Sequence, residues 1–180
     1  MEYINMNKNI VVSFPGGRGN EIPLLYFSAK YYEDQGYEKV FVAHPTPGEN
    51  RLDILLKHAE RTLSYIDWTS YDHIVFTAKS LGTLVACQYK DKYQIPASLI
   101  LFTPLPDTLS YIHPENDVLL VAGGDQDKYL DATTLKQHCD GQNILCHIES
   151  DIGHRMEVMN DLPRNLDILK NVLHSLESAR

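Results

Sequence analysis

The sequence predicts an α/β fold, a three-layer αβα sandwich around a mostly parallel sheet of about six strands. Two observations carry that expectation. Short apolar runs alternate with longer stretches of helical periodicity along the chain, the pattern of βα units feeding a parallel sheet. No repeat, low-complexity tract or linker breaks the alternation, and 180 residues suffice for one domain, residues 1–180, with a substantial core.

Strands are expected over residues 9–14, 39–43, 73–77, 98–103, 118–122 and 144–148. Between the first two, Ile22, Leu25, Ala29 and Tyr32 recur at helical spacing and the pattern stops at Gly36. Leu52, Leu55, Leu56, Ala59 and Leu63 repeat the pattern after Pro47-Gly48, and Leu84, Val85 and Ala86 continue the third strand's segment as a helix. The last helix is expected to begin near Asp161, with Pro163 in its first turn and Leu166, Leu169, Leu173 and Leu176 facing inward. About a dozen residues join the strand ending near Thr103 to the one starting near Val118. That leaves no room for a lid domain and implies an open, shallow site.

Composition excludes several function classes. Hydrophobic residues at 43% and charged residues at 22% are ordinary for a globular chain. A formal net charge of −8 argues against a nucleic-acid or anionic-membrane partner, which would call for clustered Lys and Arg. No basic start leads into an apolar core as in a signal peptide, and no apolar run approaches the ~20 residues of a membrane span. Cys87, Cys139 and Cys146, odd in number and without close spacing, point to core filling and a reducing, cytoplasmic setting. No His/Cys spacing suggests zinc.

The chemistry concentrates at 71–86. Ile74 to Phe76 reads as a buried strand, Ser80 as the turn and Leu84 to Ala86 as the helix. Ala78 and Gly82 flank the serine at minus two and plus two, a relaxed Gly-x-Ser-x-Gly nucleophile elbow. Such a turn pushes the serine oxygen above the sheet, needs small flanking residues, and leaves the Leu81 amide at a helix N-terminus, where it can meet an oxyanion. A serine nucleophile needs a base, and the base a carboxylate. Further along stand Asp125-Gln-Asp127 after the apolar run 117–124, then Ser150-Asp-Ile-Gly-His154 after the run 143–149. The order Ser, Asp, His follows that of elbow hydrolases.

These motifs resemble the α/β-hydrolase family over nearly the whole length. Ala78-Lys-Ser80-Leu-Gly82 looks like the elbow, Gly124-Asp-Gln-Asp127 like the Gly-x-x-Asp after a strand, and Gly153-His154 like the Gly-His near the C-terminus. Val11-Val-Ser-Phe-Pro-Gly-Gly-Arg-Gly19 resembles the family's first strand and oxyanion loop. Alanine at 78, where many members carry glycine, is a departure. The resemblance implies a reduced sheet lacking the family's first two antiparallel strands, with order 4-3-5-6-7-8 in family labels. It also implies Ser80 as nucleophile, His154 as base, Asp127 rather than Asp125 as acid, and an oxyanion hole from Leu81 with Gly17 or Arg18.

Rival readings stand beside each. Ser80 could be a plain helix cap, and Asp127 could cap the next helix. Glu149 and Asp151 are alternative carboxylates, and His113, in a connecting loop, is the rival histidine. Residues 15–20 invite comparison with a dinucleotide loop, but Ile22 stands where the third glycine belongs, and there is no Gly-Lys-Ser/Thr. Arg18 and Lys79 are read either as carboxylate binders at the mouth or as solvated side chains. The expected function is cofactor-free hydrolysis of a small-molecule ester or related acyl bond. The alternative is an inactive hydrolase-shaped binding or interaction protein.

Overall fold

The structure, a computed structural model, describes residues 8–17, 23–46, 48 and 50–179. Six strands, β1 (Asn9–Phe14), β2 (Glu38–Phe41), β3 (His73–Lys79), β4 (Ala97–Phe102), β5 (Val118–Gly124) and β6 (Cys146–Glu149), form one sheet. Every pairing is parallel and the order is β2-β1-β3-β4-β5-β6, which is the reduced order expected from the resemblance. The helices are α1 (Pro23–Glu33), α2 (Leu52–Thr62), α3 (Leu81–Tyr93), α4 (Ala132–Gly141) and α5 (Leu162–Glu177).

Strand side chains alternate between two cores because the pleat has a period of two. Ile10, Val12, Phe14 and Phe76 pack toward Leu55 and Ala59 of α2, Val85 and Tyr89 of α3, and Leu135 and Cys139 of α4. Val11, Val75, Ile100 and Leu120 pack toward Leu25 and Ala29 of α1 and Ile168, Val172 and Leu176 of α5. Both faces are covered, as an all-parallel sheet requires.

Several boundaries differ from expectation. β2 ends at Phe41, and β6 starts at Cys146 rather than 144. β5 continues through Gly123 and Gly124, which pair with Ile148 and Glu149. Glycines read as a strand end are here a seat: a Cβ on Gly124 would stand 2.1 Å from the carbonyl oxygen of Ile152. In α5 the buried stripe is Ile168, Val172 and Leu176, while Leu166 is 56% exposed. The helix starts where Asp161 accepts the Arg164 amide, with Pro163 in the first turn. Between β4 and β5 lie two short 3-10 turns, Pro106–Tyr111 and Pro114–Asn116, with no lid inserted. Among the described residues, no helix is long and apolar enough to cross a membrane.

The topology sets the site. After β1 the chain turns to α1 on one face, and after β3 to α3 on the other. The carboxyl ends of these adjacent strands therefore open into a crevice, the usual ligand position in an open α/β sheet. α3 passes so close beneath β1 that a Cβ on Gly82 would lie 2.3 Å from the Phe14 carbonyl oxygen and 2.5 Å from that of Pro15. Gly82→Ala should therefore force the two elements apart and destabilise the fold by about 3 kcal/mol, measurable as a lower denaturation midpoint. An unchanged midpoint would show that the helix has room to shift.

Candidate active site

Ser80 joins β3 to α3 with φ 54 and ψ −126, outside the regions that non-glycine residues favour. Both sides of the turn hold it there. Its amide donates to the Phe102 carbonyl at 2.9 Å, and its carbonyl accepts the Thr83 amide at 2.9 Å and the Thr83 hydroxyl at 2.7 Å. Thr83 in turn shares a hydrogen bond with Thr108. Ser80 occupies the helix N-cap, but its side chain makes no capping bond. The hydroxyl points instead to Nε2 of His154, at 2.7 Å.

His154 sits in the loop after β6, and its Nδ1 lies 2.7 Å from Oδ2 of Asp127 in the loop after β5. The side chains of His154 and Asp127 are 17% and 4% exposed. The other Asp127 oxygen accepts the Tyr129 amide at 2.9 Å. A hydrogen-bonded array Ser80–His154–Asp127 thus spans three strand ends. The rival groups are engaged elsewhere. Asp125 accepts the Ile152 amide at 3.2 Å and Asp151 faces Gln126, while His113 faces Glu115 and Asn116. Glu149 is bound by His147, Arg164 and Asn171. Burial pushes the Glu149 carboxyl up, but those bonds outweigh it and hold it below the usual carboxylate range.

The loops carrying acid and base are stitched together. Gln126 donates its amide to Ile152 and Asp125 donates to Glu149, at 2.9 and 3.0 Å. With the Asp125–Ile152 bond and the Gly124 contact, these make the two loops one unit.

Leu81 opens α3, so its amide stands at a helix N-terminus beside the Ser80 hydroxyl. Gly17 lines the same cleft. Arg18 lies outside the described residues. Gly16 comes closer to the serine than the sequence suggested: its Cβ would stand 2.9 Å from that of Ser80 and 3.5 Å from the hydroxyl oxygen. The cleft encloses about 660 Å³ and is bounded by Gly16, Leu81, Leu105, Tyr129, Arg155 and Glu157 among others. The Tyr129 ring meets the His154 ring edge to face at 4.6 Å.

Lys79 lines the cleft beside Ser80, as expected of a residue at the mouth, but it is not a solvated side chain. It is 4% exposed, and its ammonium donates to Thr103 Oγ1 at 2.9 Å and to the His154 carbonyl at 2.8 Å. The sequence shows its charge but not which side of the strand end it takes. Among the described residues, no three His, Cys, Asp or Glu side chains gather as a metal site.

Solved structures share this architecture. An α/β serine hydrolase homologue from Coxiella burnetii matches with a TM-score of 0.68 at 15% identity, over 97% of this chain and 88% of its own. A lidless α/β serine hydrolase from Xanthomonas campestris matches at 0.62 and 14%, over 93% and 81%. The chain has the α/β-hydrolase fold. Est1E from Butyrivibrio proteoclasticus gives 0.61 at 13% identity, over 97% and 90%. At these identities the likeness is one of fold. No protein-family model matches the sequence, and no curated protein matches it at a significant level. The Ser80 turn stands between β3 and α3, where the sequence predicts an elbow.

Burial is the largest influence on His154 and lowers its pKa; Asp127 opposes it, and the charges of Lys79 and Lys128 add to the lowering. The ring should therefore titrate below the ordinary ~6.5, visible by NMR of the imidazole protons. The unfolded chain takes up this proton first. The stability that His154 contributes is thus complete above ~6.5 and is lost as pH falls through the folded value. Titration at or above ~6.5 would contradict this account.

Proposed function

We propose that the protein is a serine hydrolase that cleaves a small ester or related acyl bond through an acyl-enzyme. The hydrogen-bonded array Ser80–His154–Asp127 at the strained turn is the observation that carries this reading. Nε2 of His154 takes the Ser80 proton as the hydroxyl oxygen attacks the acyl carbon, and His154 then returns the proton to the leaving group. Asp127 keeps Nδ1 protonated and stabilises the imidazolium. The Leu81 amide, with one from the loop at Gly16 and Gly17, stabilises the oxyanion. Water, activated by the same histidine, then releases the acid. Leu105 and Tyr129 beside the serine supply apolar contact for a small acyl substrate.

The test is labelling with a fluorophosphonate, which reacts with an activated serine whatever the natural substrate. Wild type should be labelled, and Ser80→Ala should not be, while losing nearly all turnover of any ester accepted. His154→Ala should lose comparably, because members of a triad act as a unit. Asp127→Asn should cost less, since the base remains. Ser80→Ala should still fold, as it deletes one oxygen that makes no capping bond. Equal labelling of wild type and Ser80→Ala would leave a hydrolase-shaped protein with another task.

A second expectation separates the two aspartates. Asp125→Asn keeps an oxygen to accept the Ile152 amide and should retain most of the labelling rate, whereas Asp127→Asn disturbs the proton on His154 and should slow labelling markedly. The reverse ranking would transfer the acid's role to Asp125.

A further inference from the structure

We propose that Lys79 is a positioning residue, whose buried ammonium group grips the His154 carbonyl and holds the base in line with Ser80. The inference rests on the hydrolytic reading of Ser80, His154 and Asp127.

Lys79 is the last residue of β3 and the immediate neighbour of Ser80. Among the described residues, its ammonium bonds two acceptors that belong to other parts of the sheet edge. Thr103 Oγ1, just past β4, lies at 2.9 Å, and the carbonyl of His154, beyond β6, at 2.8 Å. Thr103 is a firm anchor. It is buried, holds φ 43, and donates its amide to the Ala122 carbonyl at 2.6 Å. The chain thus has a direct tie from the residue before the serine to the backbone of the histidine itself.

Burying an ammonium costs several kcal/mol unless its bonds compensate, and in a lysine 4% exposed the bonds to Thr103 and His154 that offset this cost also act on the base. Their effects are two. The first is geometric: the imidazole can reach both Ser80 Oγ and Asp127 Oδ2 at 2.7 Å only from a narrow range of backbone positions, and the grip on the carbonyl narrows that range. The second is electrostatic: a fixed positive charge disfavours imidazolium and keeps the base ready. Among the described residues, the groups facing His154 are Asp127, Lys128 and the Tyr129 ring from the loop after β5 and Lys79 from β3, with Arg155 and Glu157 from its own loop lining the same cleft. Of these, Asp127 favours the charged ring, while Lys79 and Lys128 oppose it.

Lys79→Met keeps the length of the side chain and removes the charge and the donor. Labelling by fluorophosphonate should slow by about tenfold or more, since small misplacements of a reacting group are costly. The NMR titration of His154 and the acid limb of the labelling rate should both move to higher pH. A folded Lys79→Met protein with wild-type labelling rate and wild-type titration overturns the proposal; a role confined to packing would lower the melting temperature without moving the titration. If Lys79→Met does not fold, Thr103→Val decides, because it keeps the charge and removes the anchor. Slower labelling with the titration near its wild-type position supports the grip, and an unchanged rate overturns it. If wild type itself resists labelling, the hydrolase reading falls, yet the His154 titration in Lys79→Met still decides whether Lys79 acts on the histidine.

Discussion

The close approach of α3 to the carboxyl end of β1 is the constraint on which the rest depends. Gly82 allows the first turn of the helix to pass against the Phe14 and Pro15 carbonyls. Immediately before that contact the chain makes a tight turn in which Ser80 takes a positive φ. The same contact brings Gly16 and Gly17 alongside the serine, so nucleophile and loop amides share one crevice. A single missing methyl group in the sequence thus places two parts of the proposed machinery. The turn's backbone strain, of order 1–3 kcal/mol, is borne by the hydrogen bonds to Phe102 and Thr83.

Around that turn the carboxylates divide into structural and chemical groups. Asp125 and Glu149 are both close to the site in sequence, but each is committed to backbone or side-chain donors that fix the loops. Among the described carboxylates, Asp127 alone presents an oxygen to His154. Polar residues near a site need not be part of its chemistry, and here their hydrogen-bond partners separate the two roles more clearly than distance along the chain.

The architecture was legible because parallel strands buried on both faces leave apolar runs, and the helices between them leave a 3.6-residue rhythm. The errors have physical origins. Gly123 and Gly124 suggested an end to β5, yet they pair with β6, and at Gly124 only glycine lets Ile152 come so near. In α5, Leu176 is buried and Leu169 and Leu173 lie against the core as expected, but Ile168 and Val172 form the centre of the stripe and Leu166 turns outward, a rotation set by the neighbours across the sheet. Of the candidate site, Ser80, Asp127 and His154 could be found because small residues and glycines mark their turns. Lys79 could not be placed, since a charge at a strand end gives no sign of facing inward. Arg18 falls outside the described residues.

The array draws on residues far apart in sequence: Ser80 and His154 are 74 positions apart, and Asp127 and His154 27. His154 hangs beyond β6, a strand of four residues that, among the described residues, pairs on one side only at the sheet's edge. Edge segments open at lower free energy than the centre of a sheet. Transient fraying of β6 would displace the imidazole and loosen Ile148 and Ile152 at the margins of the two cores, while the turn between β3 and α3 stays in place. The site's working lifetime under heat or denaturant is then governed by a local opening event, and amide exchange along 146–149 is its natural clock. Loss of the site and loss of the fold become separate transitions, the first preceding the second.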